Sequence, residues 1–122
     1  MPLVKKRIFL AAGATSDQVL AGTTYEYVDP NTILRVAAAV DTAGTSATAD
    51  TTMDFTVNNA EFSRGVSVSA LVDGEPFGAS ENSNYVLNNM VTTGAVRNRP
   101  IITFTNTTAA QRVIDVAIFI GN

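Results

Sequence analysis

Hydrophobic residues in this chain recur with a period of two, and nowhere with the spacing of an amphipathic helix. Successive side chains of a strand point to opposite faces, so each alternating run reads as a strand with two distinct faces. Thr51–Asn58 is the clearest: Met53, Phe55 and Val57 share one face, and Thr52, Asp54 and Thr56 the other. The same reading predicts strands over Leu3–Ala12, Thr24–Val28, Thr32–Asp41, Gly65–Asp73, Tyr85–Met90, Arg99–Asn106 and Arg112–Ile120. Propensity agrees, since Val, Ile, Thr, Tyr and Phe number 46 against 23 Leu, Lys, Glu, Gln, Arg and Met. Ser16–Leu20 is the one helical candidate, capped by Ser16 or Asp17, and Gly22 limits it to a single turn. Asp29-Pro30-Asn31, Asp73-Gly74 and Asn106–Gln111 read as turns, and 43–50, 75–84 and 92–98 as loops. The expected fold is all-β: one domain over residues 1–122, an antiparallel eight-stranded β-sandwich of jelly-roll type.

The chain has no Cys and no His, which removes disulfides, thiol nucleophiles, imidazole bases and thiolate or imidazole metal sites. No enzyme and no cofactor are expected. Asp41-Thr42-Ala43-Gly44 is similar to the Asp-Thr-Gly turn of aspartic proteases, but Ala43 interrupts that turn and no second carboxylate is assigned to it. Asp73, Glu75 and Glu81 fall within nine residues and could offer oxygens to a hard cation at a subunit contact. Their spacing matches no calcium loop, and the expectation is solvated loop carboxylates. Asn106-Thr107-Thr108 has the form of a glycosylation sequon and is read as turn chemistry. Tyr25 and Tyr27 could form a stacking platform, but paired aromatics on a strand more commonly pack in a core or an interface.

Net charge is −3, and the only concentrated basic feature is Lys5-Lys6-Arg7. The other arginines are spread along the chain, so no specific nucleic-acid partner is expected. The triplet and the following Ile8–Ala14 have the outline of a signal peptide with an apolar stretch at the short limit, so synthesis without secretion is expected. No apolar run approaches the ~20 residues of a membrane helix, and no membrane partner is expected.

The final strand departs from the pattern. Ile114, Val116, Ile118 and Ile120 make one apolar face, but the other, with Val113, Ala117 and Phe119 beside Asp115, is nearly as apolar. In Thr32–Asp41 both faces are again largely apolar, and in the first strand Phe9 joins Lys5 and Arg7 opposite Lys6, Ile8 and Leu10. An antiparallel sheet normally keeps one face wet. Either loops of the same chain cover the second face, or a neighbouring subunit does. Burying ~200–300 Å2 there would contribute ~5–8 kcal/mol per subunit before association costs. The candidate contact residues are Phe9, Val113, Ala117 and Phe119, with Lys5 and Arg7 meeting a partner's carboxylates or water.

Three segments carry a family likeness: Val4-Lys5-Lys6-Arg7-Ile8-Phe9, Leu20-Ala21-Gly22-Thr23-Thr24-Tyr25-Glu26-Tyr27, and Ile102-Thr103-Phe104-Thr105-Asn106-Thr107-Thr108 before an apolar last strand. In texture, over most of its length, the chain resembles small bacteriophage virion proteins of single-jelly-roll type, the capsid decoration, cement and minor capsid proteins. The resemblance implies a non-enzymatic role in the virion, made in the host cytoplasm. It also implies homo-oligomers, trimers ahead of pentamers, and the major capsid protein as partner. A pentameric capsid vertex protein suits the same size and fold. A carbohydrate- or surface-binding β-sandwich module is the alternative of another class; the absence of Trp counts against it.

Overall fold

The computed structural model describes residues 3–41, 51–71, 77–79, 85–92 and 97–121. Among them are seven strands: β1 (Leu3–Leu10), β2 (Ile33–Asp41), β3 (Thr51–Val57), β4 (Ala60–Ser67), β5 (Val86–Val91), β6 (Pro100–Asn106) and β7 (Arg112–Gly121). They form two antiparallel sheets, one ordered β1-β7-β2-β5 and the other β4-β3-β6. The all-β expectation holds, with seven regular strands instead of eight. Asp41-Thr42-Ala43-Gly44 after its first residue, the Asp73, Glu75 and Glu81 carboxylates and the Asp73-Gly74 turn lie outside the described residues.

Alternation creates the core. The even-numbered residues of β2 and β7, from Leu34 to Val40 and from Ile114 to Ile120, are buried in one cluster with Met53, Phe55 and Val57 of β3 and Ile102 and Phe104 of β6. Leu10, Val19, Leu20 and Val28 complete it. The two sheets therefore share a single core. In β3 every second residue is buried and those between are not, as read from the sequence.

The two-residue turn between β3 and β4 has Asn58 and Asn59 at φ of 51° and 67°. Positive φ at both central positions is the hairpin geometry whose twist matches that of the flanking strands. Asn58 also fixes the turn to the start of β6: its Nδ2 donates to Asn98 Oδ1 (2.9 Å) and its Oδ1 accepts from the Arg99 amide (2.9 Å).

Two predicted strands are corrected. The expected strand Gly65–Asp73 begins earlier, as β4, and its register against β3 shifts on both sides of Phe55. Beyond β4 the chain crosses to the larger sheet, where the Val40 amide donates to Ser69 O and the Leu71 amide to Val40 O, both at 2.9 Å. Thr24–Val28 is not a strand; only Val28 pairs, with Asn98, and the rest is turn and bend. Ser16–Leu20 forms no helix. It runs along the outer edge of β6, with the Ser16 amide donating to Phe104 O (2.7 Å), the Val19 amide to Ile102 O (3.0 Å) and the Asn106 amide to Ala14 O (2.9 Å).

Pairing is nested from the ends of the chain inwards: β1 with β7, residues 14–19 with β6, β2 with β5, and β3 with β4. The β4/β5 side is tied across the sheets, where Asn88 Nδ2 donates to Ser63 Oγ at 2.7 Å. The opposite side, where β1 stands near residues 14–19, is open.

Candidate functional site

All six residues singled out for a subunit contact stand on the outer face of the larger sheet. The register opposes Leu3 to Phe119, Lys5 to Ala117, Arg7 to Asp115 and Phe9 to Val113 across β1 and β7. Across β7 and β2 it opposes Phe119 to Arg35, Ala117 to Ala37, Asp115 to Ala39 and Val113 to Asp41. Each side chain therefore sits in a row that crosses three strands.

The middle of this face is not available to a neighbour. Ala117, Ala37 and Ala39 are fully buried, packed with Ala79 and Tyr85 and bordered by Phe77, Leu71, Val86 and Phe119. The Phe77 and Tyr85 rings form a tilted pair, 5.7 Å between centroids with 54° between their planes. The covering segment is held down by the Ala38 amide donating to Tyr85 O (3.1 Å) and by Arg35, whose Nη1 donates to Ala79 O (3.1 Å). The Arg35 guanidinium also lies 5.0 Å from the centre of the Phe119 ring. Ala117 is covered by its own chain, and Phe119 is partly buried beside Arg35: small alanines in β2 and β7 leave a shallow bed that the chain's own aromatics fill. Three consecutive alanines in β2, Ala37–Ala39, opposite Ala117 of β7, are the sequence signal for it.

The β1 margin of the face stays exposed. Phe9 is 63% accessible and Leu3 47%, whereas Val113 is half-buried between Phe9 and Asp41. Arg7 is committed to its own chain, with Nη2 2.6 Å from Asp41 Oδ2 and Nη1 3.2 Å from Asp115 Oδ1. The hydrogen bond Arg7 donates to Asp41, then the charge of Asp115, hold the Arg7 guanidinium above its ordinary value, so it stays charged. Lys5 and Lys6 have no ion-pair partner among the described residues.

Beside β1 lies a groove of about 490 Å3, lined by residues 6–11 on one side and 14–19 on the other. Consecutive residues of a strand send side chains to opposite faces, so an unbroken run such as 6–10 lines a groove through its backbone edge. Sequence reasoning missed the second wall because Ala14–Val19 carries no alternation; its place follows from the unpaired edge of β6.

The remaining motifs resolve locally. Asn106 is fully buried, its Nδ2 donating to the carbonyls of Leu10, Ala11 and Ala110 and its Oδ1 accepting from the Thr108 amide and hydroxyl. That is the expected turn chemistry. Tyr25 and Tyr27 do not act as a pair: Tyr25 packs on the core, and Tyr27, exposed, carries the Arg97 and Arg99 guanidinium groups at 4.5 and 5.8 Å from its ring centre. Among the described residues no group of three or more Asp or Glu side chains could hold a metal, and no helix is long and apolar enough to cross a membrane. Comparison with protein-family models, with curated proteins and with solved structures returns no match.

Proposed function

We propose that this chain is a non-enzymatic structural subunit of a bacteriophage virion, a decoration, cement or minor capsid protein acting through subunit contacts, trimeric in its assembled form and seated on the major capsid protein. The observation that carries the reading is the β1 margin: a regular eight-residue strand, unpaired on one side, with Leu3 and Phe9 exposed at its two ends. Lys5, Lys6 and Arg7 discourage direct pairing of this edge with the same edge of another copy, but open N–H and C=O groups beside the apolar Leu3 and Phe9 still recruit a surface of complementary charge. The contact expected through Ala117 and Phe119 is replaced in this reading by one through β1.

The strand order supports the finer fold. A jelly roll is a long hairpin of nested pairs wound into two sheets, and the pairs here nest in that way. In this reading residues 14–19, held along β6, correspond to its irregular second strand, which supports the eight-stranded β-sandwich. A pentameric vertex protein would use the same margin with a different rotation between copies. The sugar-binding reading gains little from Tyr27, whose ring is already engaged by the Arg97 and Arg99 guanidinium groups.

Purified particles test this directly. The chain should co-sediment with intact capsids in a fixed ratio to the major capsid protein, and Phe9→Asp should release it. A chain found free and monomeric, with no affinity for shells, refutes the proposal.

A further inference from the structure

We propose that the groove between β1 and residues 14–19 receives an extended, acidic segment of a partner protein as an added strand. This goes beyond the virion reading, since the groove would accept such a segment whatever larger body carries it.

The backbone supplies the first argument. Every second residue of an antiparallel edge strand turns its N–H and C=O away from its neighbour. Among the described residues the only β1 backbone group bonded elsewhere than to β7 is the Leu10 carbonyl, at the far end. The other wall is already spent on β6, so an incoming strand would pair with β1 and pack against Ser16–Val19. An extended residue occupies about 150 Å3, from a rise of ~3.3 Å, a strand spacing of ~4.8 Å and a layer spacing of ~10 Å. A groove of about 490 Å3 therefore holds about three residues fully, with the rest of the strand lying along the open rim.

Charge selects the occupant. Among the described residues Lys6, on the groove wall, and Lys5 next to it have no ion-pair partner, and Asp17 is the only carboxylate lining the groove. Opposite charges facing each other across a strand pair stabilise it, and like charges oppose it. A second copy presenting its own β1 would set Lys5-Lys6-Arg7 against the same triplet. The other outer strands of the sheets are poor substitutes: β5 is tied to β4 by Asn88, and β4 is interrupted by Gly65 at a φ of 61° and by register shifts. Gln18 adds an uncommitted donor, since it lines the groove and its buried Nε2 has no acceptor. A carbonyl or carboxylate of the incoming strand would supply one.

The test uses the whole chain and three synthetic peptides of about ten residues with blocked ends. One alternates Glu with Val, one alternates Lys with Val, and one is the acidic peptide with a central Val replaced by Pro. Backbone amide exchange and side-chain amide shifts are read by NMR, with sedimentation run in parallel. The acidic peptide should slow exchange at alternate β1 amides and shift the Gln18 side-chain amide. The basic peptide should leave both unchanged, and the proline peptide should bind at least about tenfold more weakly because it lacks a ladder donor. Lys5→Glu with Lys6→Glu should weaken the acidic peptide about tenfold or more, with core amides unmoved as the check on folding. The proposal is overturned if nothing shifts at about 1 mM peptide, if acidic and basic peptides bind alike, or if the shifts map elsewhere. Concentration-dependent protection of β1 without peptide, together with a dimer mass, would overturn it in favour of a second copy.

Discussion

Replacing Tyr85 by Ala tests whether the outer face of the larger sheet is closed by the chain itself. Tyr85 is 3% exposed, meets the Phe77 ring in a tilted contact at 5.7 Å and packs with Ala37, Ala39 and Ala117. A buried aromatic side chain removes ~150–250 Å2 from water, which at ~25 cal/mol per Å2 sets an upper range of ~4–6 kcal/mol. The alanine that remains keeps part of that, and truncations of buried aromatics cost about 3–5 kcal/mol in practice. We therefore expect a loss of about 3–4 kcal/mol in urea unfolding, and a fall in Tm of roughly 12–16 °C for a domain of this size. The variant should also bind a hydrophobic dye and self-associate, because the alanine bed beneath the ring is laid open. Phe9→Ala is the control: an aromatic of similar size on the same face, but 63% exposed, and expected to change stability by about 0.5 kcal/mol or less. If Tyr85→Ala costs under about 1 kcal/mol and matches Phe9→Ala in every readout, the covering segment does not bury that face and the argument fails.

Asn106→Ala removes a side chain that bonds five backbone or hydroxyl groups at the β6 end; a loss of about 2–4 kcal/mol by denaturant titration is expected, and one below about 1 would show the network to be dispensable. Asn59→Gly should be neutral or stabilising and Asn59→Val destabilising by about 1–2 kcal/mol, both read from Tm, because the position has a φ of 67°. Arg7→Met should lower stability at low ionic strength and approach wild type in about 1 M salt, since its pairs with Asp41 and Asp115 are exposed to screening. A deficit independent of salt would mean that Arg7 acts through packing of its stem.

Strands were legible where large apolar and polar residues alternate strictly, as in β3 and β6, because burial on one face leaves only one workable register. The start of β4 was not, since Ala60, Glu61 and Phe62 are all exposed and Gly65 bends the strand out of its period. Thr24–Val28 has strand-forming residues but finds no partner beyond Val28, which shows propensity yielding to pairing. The double apolar faces of β2 and β7 were visible in the sequence, but not what covers them. Phe77 and Tyr85 stand in a stretch of Gly, Pro, Ser, Asn and Glu whose average polarity hides two anchoring rings. Lys5, Arg7 and Phe9 were correctly grouped on one face, since a single strand fixes their alternation; that Arg7 is satisfied by Asp41 depends on β2 arriving two strands away.

Because β1 pairs with β7 alone among the described residues, the first of the seven strands in chain order has to wait for the last. At ~5–20 residues per second the interval is several to some twenty seconds, during which Leu3, Ile8 and Phe9 face water with both strand edges bare. Two lysines and an arginine in that strand repel identical nascent chains on neighbouring ribosomes, so the charge on β1 serves the chain during its synthesis as well as after it.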